Sequence, residues 1–227
     1  MRRSIVWLAA SAAIVVSMTA AAAAQAAVFK AAEYPAFISG GPTETSSMNL
    51  GFEGGLTANC EFAGFAGEIG KATSELRVSA GFAGCTAFGS SEGSIEANGC
   101  EFIFHPGSGS GDEFTGTLDI ACPLGEAITV KGGACEVQIG PQSGLGPVSY
   151  DEVTAPEPEP EEPEEHDEVE ASFEMSPASG FVYAKSLDGA ACPLSGTGAK
   201  SDGVFGGAVD LKAGNIETFE TIDFGIE

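Results

Sequence analysis

The sequence predicts an all-β protein: an antiparallel β-sandwich-like domain, stapled by disulfides and interrupted by a long acidic Pro/Glu loop. Three observations predict it. Glycine makes up 32 of the 227 residues, about twice its usual share of roughly 7%. Short runs of alternating apolar and polar residues lie between clusters of Gly, Ser and Pro, the pattern of a sandwich or barrel. No segment beyond the first 26 residues keeps a 3.6-residue apolar period.

Residues 1–26 read as a signal peptide. Arg2 and Arg3 precede an uncharged apolar run from Ile5 to Val16, and the small-residue tail "AAAAQAA" offers an A-x-A site with cleavage after Ala26. The competing reading is an uncleaved anchor, because the run with its alanines nearly reaches bilayer length. Residues 27–45 are expected to form an N-terminal extension, and 46–227 the β-sandwich-like domain. Its strands are read from alternation. Met48, Leu50 and Phe52 share a face, as do Leu76, Val78 and Ala80. Cys100, Phe102 and Phe104 share another, followed by Phe114, Leu118, Ile120 and Cys122 in "EFTGTLDIAC". Cys135, Val137 and Ile139, then Val169, Ala171, Phe173 and Met175, then Ile216 to Ile226 complete the set.

The six cysteines Cys60, Cys85, Cys100, Cys122, Cys135 and Cys192 all follow the signal. An even count in an exported chain implies a disulfide framework. A metal cluster would want close pairs such as C-x-x-C, and none occurs. Cys122 and Cys135 flank an apparent hairpin, so they are expected to pair, with Cys60–Cys85 and Cys100–Cys192 completing the framework. The sequences "AGCTAFG" (83–89), "NGCEF" (98–102), "DIACPLG" (119–125) and "CEVQIGPQSGL" (135–145) resemble a set of exported, six-cysteine, β-rich proteins of actinobacteria. That family has no known function. The resemblance covers about Cys60 to Glu227 and implies export and the cysteine framework, with no site residue.

The chain is strongly acidic, with 33 Asp and Glu against the seven Lys and Arg left after Arg2 and Arg3. That balance argues against nucleic acid or an anionic membrane as partner, since both need cations to displace counterions. The densest stretch, "APEPEPEEPEEHDEVE" (155–170), holds nine carboxylates and four prolines without a Lys or Arg. Residues 154–168 are expected to form a disordered acidic Pro/Glu loop. Alternating Pro and Glu favours extended polyproline II, in which fourteen residues reach about 40 Å at roughly 3.1 Å each. A Ca²⁺ cage needs the opposite, a tight turn folding several oxygens onto one ion. Glu157, Glu159, Glu161, Glu162, Glu164 and Glu165 are therefore expected to act as solvated spacer or as contacts for a basic partner, and His166 as a solvated neighbour.

Other motifs read blandly. "GSSEG" (89–93) matches G-x-S-x-G around Ser91, but it lies between β runs and not on a strand–turn–helix elbow. "HPGSGSGDE" (105–113) lacks the G-K-[ST] of a phosphate loop and reads as a hairpin loop, with His105 at the surface. Glycan-stacking aromatics are few: Trp7 lies in the signal, and Tyr34, Tyr150 and Tyr183 are the tyrosines. The expectation is an exported, non-catalytic structural or binding module, secreted or associated with the cell envelope and not membrane-spanning once the signal is cleaved. Its partner would be an envelope component or a basic protein. A Ca²⁺-dependent surface or matrix protein is the first alternative, with Ca²⁺ the one cofactor considered, and a secreted hydrolase is the last.

Overall fold

A computed structural model describes residues 27–43, 46–156, 165–188, 192–196 and 198–227. The expected signal peptide lies outside them. The described residues contain no α-helix, only a 3₁₀ turn at Glu53–Gly55, and so no helix long and apolar enough to cross a membrane. The strands are β1 (Phe29–Ala31), β2 (Ala36–Pro42), β3 (Asn49–Phe52), β4 (Leu56–Ile69), β5 (Leu76–Ala87) and β6 (Ser90–Glu96). They continue with β7 (Glu101–Ser110), β8 (Glu113–Ala121), β9 (Ile128–Gly132), β10 (Cys135–Ile139) and β11 (Gln142–Pro156). The chain ends with β12 (Glu165–Glu174), β13 (Phe181–Asp188), β14 (Ala199–Asn215), β15 (Thr221–Ile222) and β16 (Phe224–Ile226). Every pairing between them is antiparallel.

Three strands shared by both halves of the sheet organise the molecule. β4, β5 and β14 are these strands, and β2 and β3 lie end to end between β4 and β14. The strands between β14 and β5 split into two sets. One runs β12–β11–β8–β7 and the other β13–β10–β9–β6. Because β12 and β13 both pair with β14, and β7 and β6 both pair with β5, the ladder closes twice. The first ring holds β2, β4, β5, β7, β8, β11, β12 and β14; the second holds β3, β4, β5, β6, β9, β10, β13 and β14. Closure leaves few open edges, which protects a long β-chain from adding strands of another molecule.

The side chains inside form one sandwich-like core. Phe65 packs edge-on against Phe102 at 5.8 Å, and Phe205 against Phe173 at 4.7 Å, joining β4, β7, β14 and β12. Edge-to-face packing suits the ring quadrupoles and adds about 0.5–1.5 kcal/mol per pair beyond burial. Where the two rings meet, Leu50, Phe82, Phe102, Ile139, Phe181 and Phe205 border a wholly apolar void of about 20 Å³. It has room for about one water and no polar group to hold it.

Four expectations are corrected. Residues 27–45 are no extension: Phe29, Ala31, Ala36 and Ile38 are fully buried, and β2 lies between β14 and β4. The loop expected over 154–168 is strand at both ends, since the β11–β12 ladder continues through Thr154↔Asp167 and Ala155↔His166 to Pro156↔Glu165. Glu157, Glu159, Glu161, Glu162 and Glu164 lie outside the described residues. The stretch 105–113 is also mostly strand, turning only at Gly111 and Asp112. Finally, Cys60–Cys85 forms as expected, but the other bridges are Cys100–Cys122 and Cys135–Cys192. The reason is pairing. β7 and β8 are the hairpin, and Glu101↔Ala121 sets Cys100 beside Cys122. β10 pairs with β13, whose end at Asp188 lies opposite Cys135 and carries the chain toward Cys192.

Candidate functional site

The outer face of the first ring carries a regular array. Side chains alternate along a strand, so residues in register point the same way. Phe114, Tyr150, Val169, Ala171, Val209 and Leu211 point inward and are buried. Their neighbours point out, and the register aligns Glu113↔Asp151, Asp151↔Glu170 and Glu170↔Asp210. Four carboxylates thus form a transverse row across β8, β11, β12 and β14, at the roughly 4.5–5.5 Å spacing of directly opposed residues. A hydroxyl row runs beside it, Thr115↔Ser149↔Ser172. Ser172 Oγ ties the rows by donating to Glu170 Oε1 at 3.2 Å.

At the β8 end the row opens into a groove of about 420 Å³ lined by Ser108, Ser110, Glu113, Thr115, Ser149 and Asp151. A register shift between Pro106 and Gly109 shapes it. Glycine is required at Gly109 and Gly116, where an added Cβ would fall 2.3 Å from the Glu113 carbonyl and 1.9 Å from that of His105. The groove therefore exists because two strands approach more closely than side chains allow.

Cations are scarce and mostly committed. β8, β11 and β12 contain no Lys or Arg. Elsewhere Lys30 pairs with Glu227 at 2.5 Å, Arg77 with Glu75 at 3.1 Å, Lys131 with Glu96 at 3.4 Å, Lys200 with Glu53 at 3.3 Å and Lys212 with Glu168 at 2.6 Å. Glu168 is buried, and Lys212 covers it from the next strand.

A second cluster joins Glu53, Ser195, Lys200, Tyr183 and Asp202. Ser195 Oγ donates to Glu53 at 2.7 Å, and Lys200 Nζ lies 3.2 Å from that oxygen. The Ser195 hydrogen bond, then that of Lys200, holds the Glu53 carboxyl below its ordinary value. The arrangement resembles a nucleophile–lysine pair, but Lys200 is itself ion-paired with Glu53 at 3.3 Å, so all three groups belong to one polar network. Tyr183 donates to Asp202 Oδ1 at 3.0 Å and accepts from the Glu53 amide at 2.9 Å. Burial is the main cause that pushes its phenol to about 12. The cluster anchors the segment tied down by Cys192.

His105 lies on β7 opposite Phe104, as expected, but only partly exposed. Its Nε2 approaches Asp119 Oδ2 at 3.2 Å without hydrogen-bond geometry, and Asp119 accepts the Gly144 amide at 2.7 Å through its other oxygen. Ser91 is exposed on β6. His166, expected in a loop, sits in β12 with Nδ1 3.3 Å from Asp223 Oδ1. The backbone of Glu165 closes the β11–β12 ladder. Among the described residues, no group of three or more His, Cys, Asp or Glu is arranged to hold a metal ion. The row itself is missing from the sequence reading. Its members lie in four separate segments, and the only signal was an outward carboxylate in each strand.

The fold and face define a class: an all-β, disulfide-bonded protein with an acidic outer surface. Comparison with protein-family models, with curated proteins and with solved structures finds no match.

Proposed function

We propose that the protein is an exported, non-catalytic binding module that acts at or outside the cell envelope. It engages a basic partner, an envelope component or a cationic protein, through the acidic face of β8, β11, β12 and β14. The supporting observation is the in-register row Glu113–Asp151–Glu170–Asp210 on a face three of whose four strands contain no Lys or Arg. Opposed like charges lower stability, so a cationic partner gains by relieving them, and the field of the face speeds its approach. In sequence, the run 157–164 that joins β11 to β12 carries five further Glu. Three disulfides suit an oxidising, extracellular setting, and the resemblance to exported actinobacterial proteins points the same way.

The test is co-sedimentation of the mature, oxidised protein with envelope preparations, with calcium and with chelator. Beside it run a variant lacking 157–164 and the variant Asp151→Asn/Glu170→Gln. Retention of the intact protein with loss of the row variant supports the reading. Equal retention of all three, or none at all, overturns it. Retention only with calcium would instead support the Ca²⁺-dependent alternative.

A further inference from the structure

The short ribbon of β1 and β16 has an unequal attachment. It lies over one end of the first ring, with Phe29 edge-on to Tyr150 at 5.7 Å and stacked on Phe224 at 5.9 Å, all three fully buried. One edge is held by backbone: Phe29 and Thr73 exchange hydrogen bonds of 2.8 and 3.0 Å. The other edge is held by a side chain, the Glu152 carboxylate accepting the Ile226 amide. Around that contact is an open cleft of about 300 Å³ lined by Lys30, Glu152, Asp167, Asp223 and Glu227.

We propose that the β1–β16 ribbon is a pH-sensitive strap, clamped by Glu152 over the aromatic end of the first ring and loosened as Glu152 ionises among the carboxylates that surround it. The groups facing Glu152 come from every neighbouring element. Asp112 stands in the β7–β8 turn, whose carbonyl accepts the Glu152 amide at 2.8 Å. Asp167 is on β12, where it accepts from Thr154 at 3.1 Å. Glu227 follows β16 and pairs with Lys30 on β1. Asp223 precedes β16, accepts the Asp167 amide at 3.3 Å and lies 3.3 Å from His166.

Burial is the largest cause raising the Glu152 carboxyl above 4.5; the Ile226 amide opposes it, and the charges of Asp112, Asp167 and Glu227 add to it. A carboxyl raised in the closed state holds its proton more tightly there than in the opened chain. Lowering the pH from neutrality toward the ordinary carboxylate range therefore tightens the strap, and raising it loosens the strap. Protonated Glu152 still accepts the Ile226 amide through its carbonyl oxygen. Lys30, paired with Glu227, stays charged throughout.

The test is hydrogen exchange read by mass spectrometry on the mature, oxidised protein from pH 7.5 down to 4.5, the ordinary value of the carboxyl, normalised for intrinsic exchange rates. Protection of residues 27–31 and 224–227 is expected to rise several-fold as the pH falls, against constant protection of β5 and β8. Glu152→Gln should show the high protection already at pH 7.5 and no further rise. A ribbon indifferent to pH, or a Glu152→Gln ribbon following the wild-type curve, overturns the proposal. Should Glu152→Gln fold poorly, Asp167→Asn keeps the clamp and removes one repelling charge. It should raise protection at pH 7.5, and no change would overturn the proposal.

Discussion

Replacing Asp151 with Asn should stabilise the protein. Asp151 stands between Glu113 on β8 and Glu170 on β12, directly opposite both. Like charges so placed cost up to about 1 kcal/mol per pair. The face is partly open to water, which screens the repulsion, so the lower half of that range applies. Two pairs then give a gain of about 0.5–1 kcal/mol. A domain of this size shifts by about 2–4 °C per kcal/mol, so the melting temperature should rise by about 1–4 °C. The assay is thermal unfolding followed by circular dichroism at low salt and at about 1 M, where the screening length falls to about 3 Å and the gain should largely vanish. Glu92→Gln, exposed on β6, removes the same charge away from the row and should change little. A destabilised Asp151→Asn, or a gain unaffected by salt, would refute the idea that the row is held at a cost.

Removing the Cys135–Cys192 bridge with paired serines opens a loop of 57 residues and should cost about 4 kcal/mol in chemical unfolding; the segment around Ser195 should lose hydrogen-exchange protection first. Lys212→Met leaves buried Glu168 without its partner, and because Lys212 is itself half exposed the loss should be about 1–2 kcal/mol by urea titration. Tyr183, raised to about 12 from 10.0, contributes stability that is complete below pH 10 and lost as the pH rises to about 12. Unfolding free energies across that range should fall, and Tyr183→Phe should flatten part of the fall.

Much of the sheet was legible from alternation alone. Phe114, Leu118 and Ile120 all face the core from β8, and Val169, Ala171 and Phe173 do so from β12. β14 was not legible, although it is the longest strand. Gly203, Gly206 and Gly207 interrupt its apolar residues, and its pattern appears only once Phe205, Val209, Leu211 and Ala213 are seen facing one core. β1 and β2 were missed for a similar reason, since alanines carry half of their inward positions and alanine contributes little to an apolar pattern. Two disulfide pairings failed because sequence proximity favours neighbours such as Cys122 and Cys135, whereas the sheet joins β8 to β7 and β10 to β13. The carboxylate row had the least chance of being read. Each strand shows one outward acid, and only the register brings Glu113, Asp151, Glu170 and Asp210 into line.

The most direct measurement is titration of the mature, oxidised protein with a lysine-rich peptide at low and moderate salt. Three proteins are compared: the intact chain, Asp151→Asn/Glu170→Gln on the row, and Glu92→Gln/Glu126→Gln, which removes two exposed charges elsewhere. Selective weakening of the row variant, with the control close to wild type, is the outcome expected of an acidic face that contacts a basic partner. Equal weakening of both variants would reduce the binding to diffuse net charge and contradict the role assigned to that face.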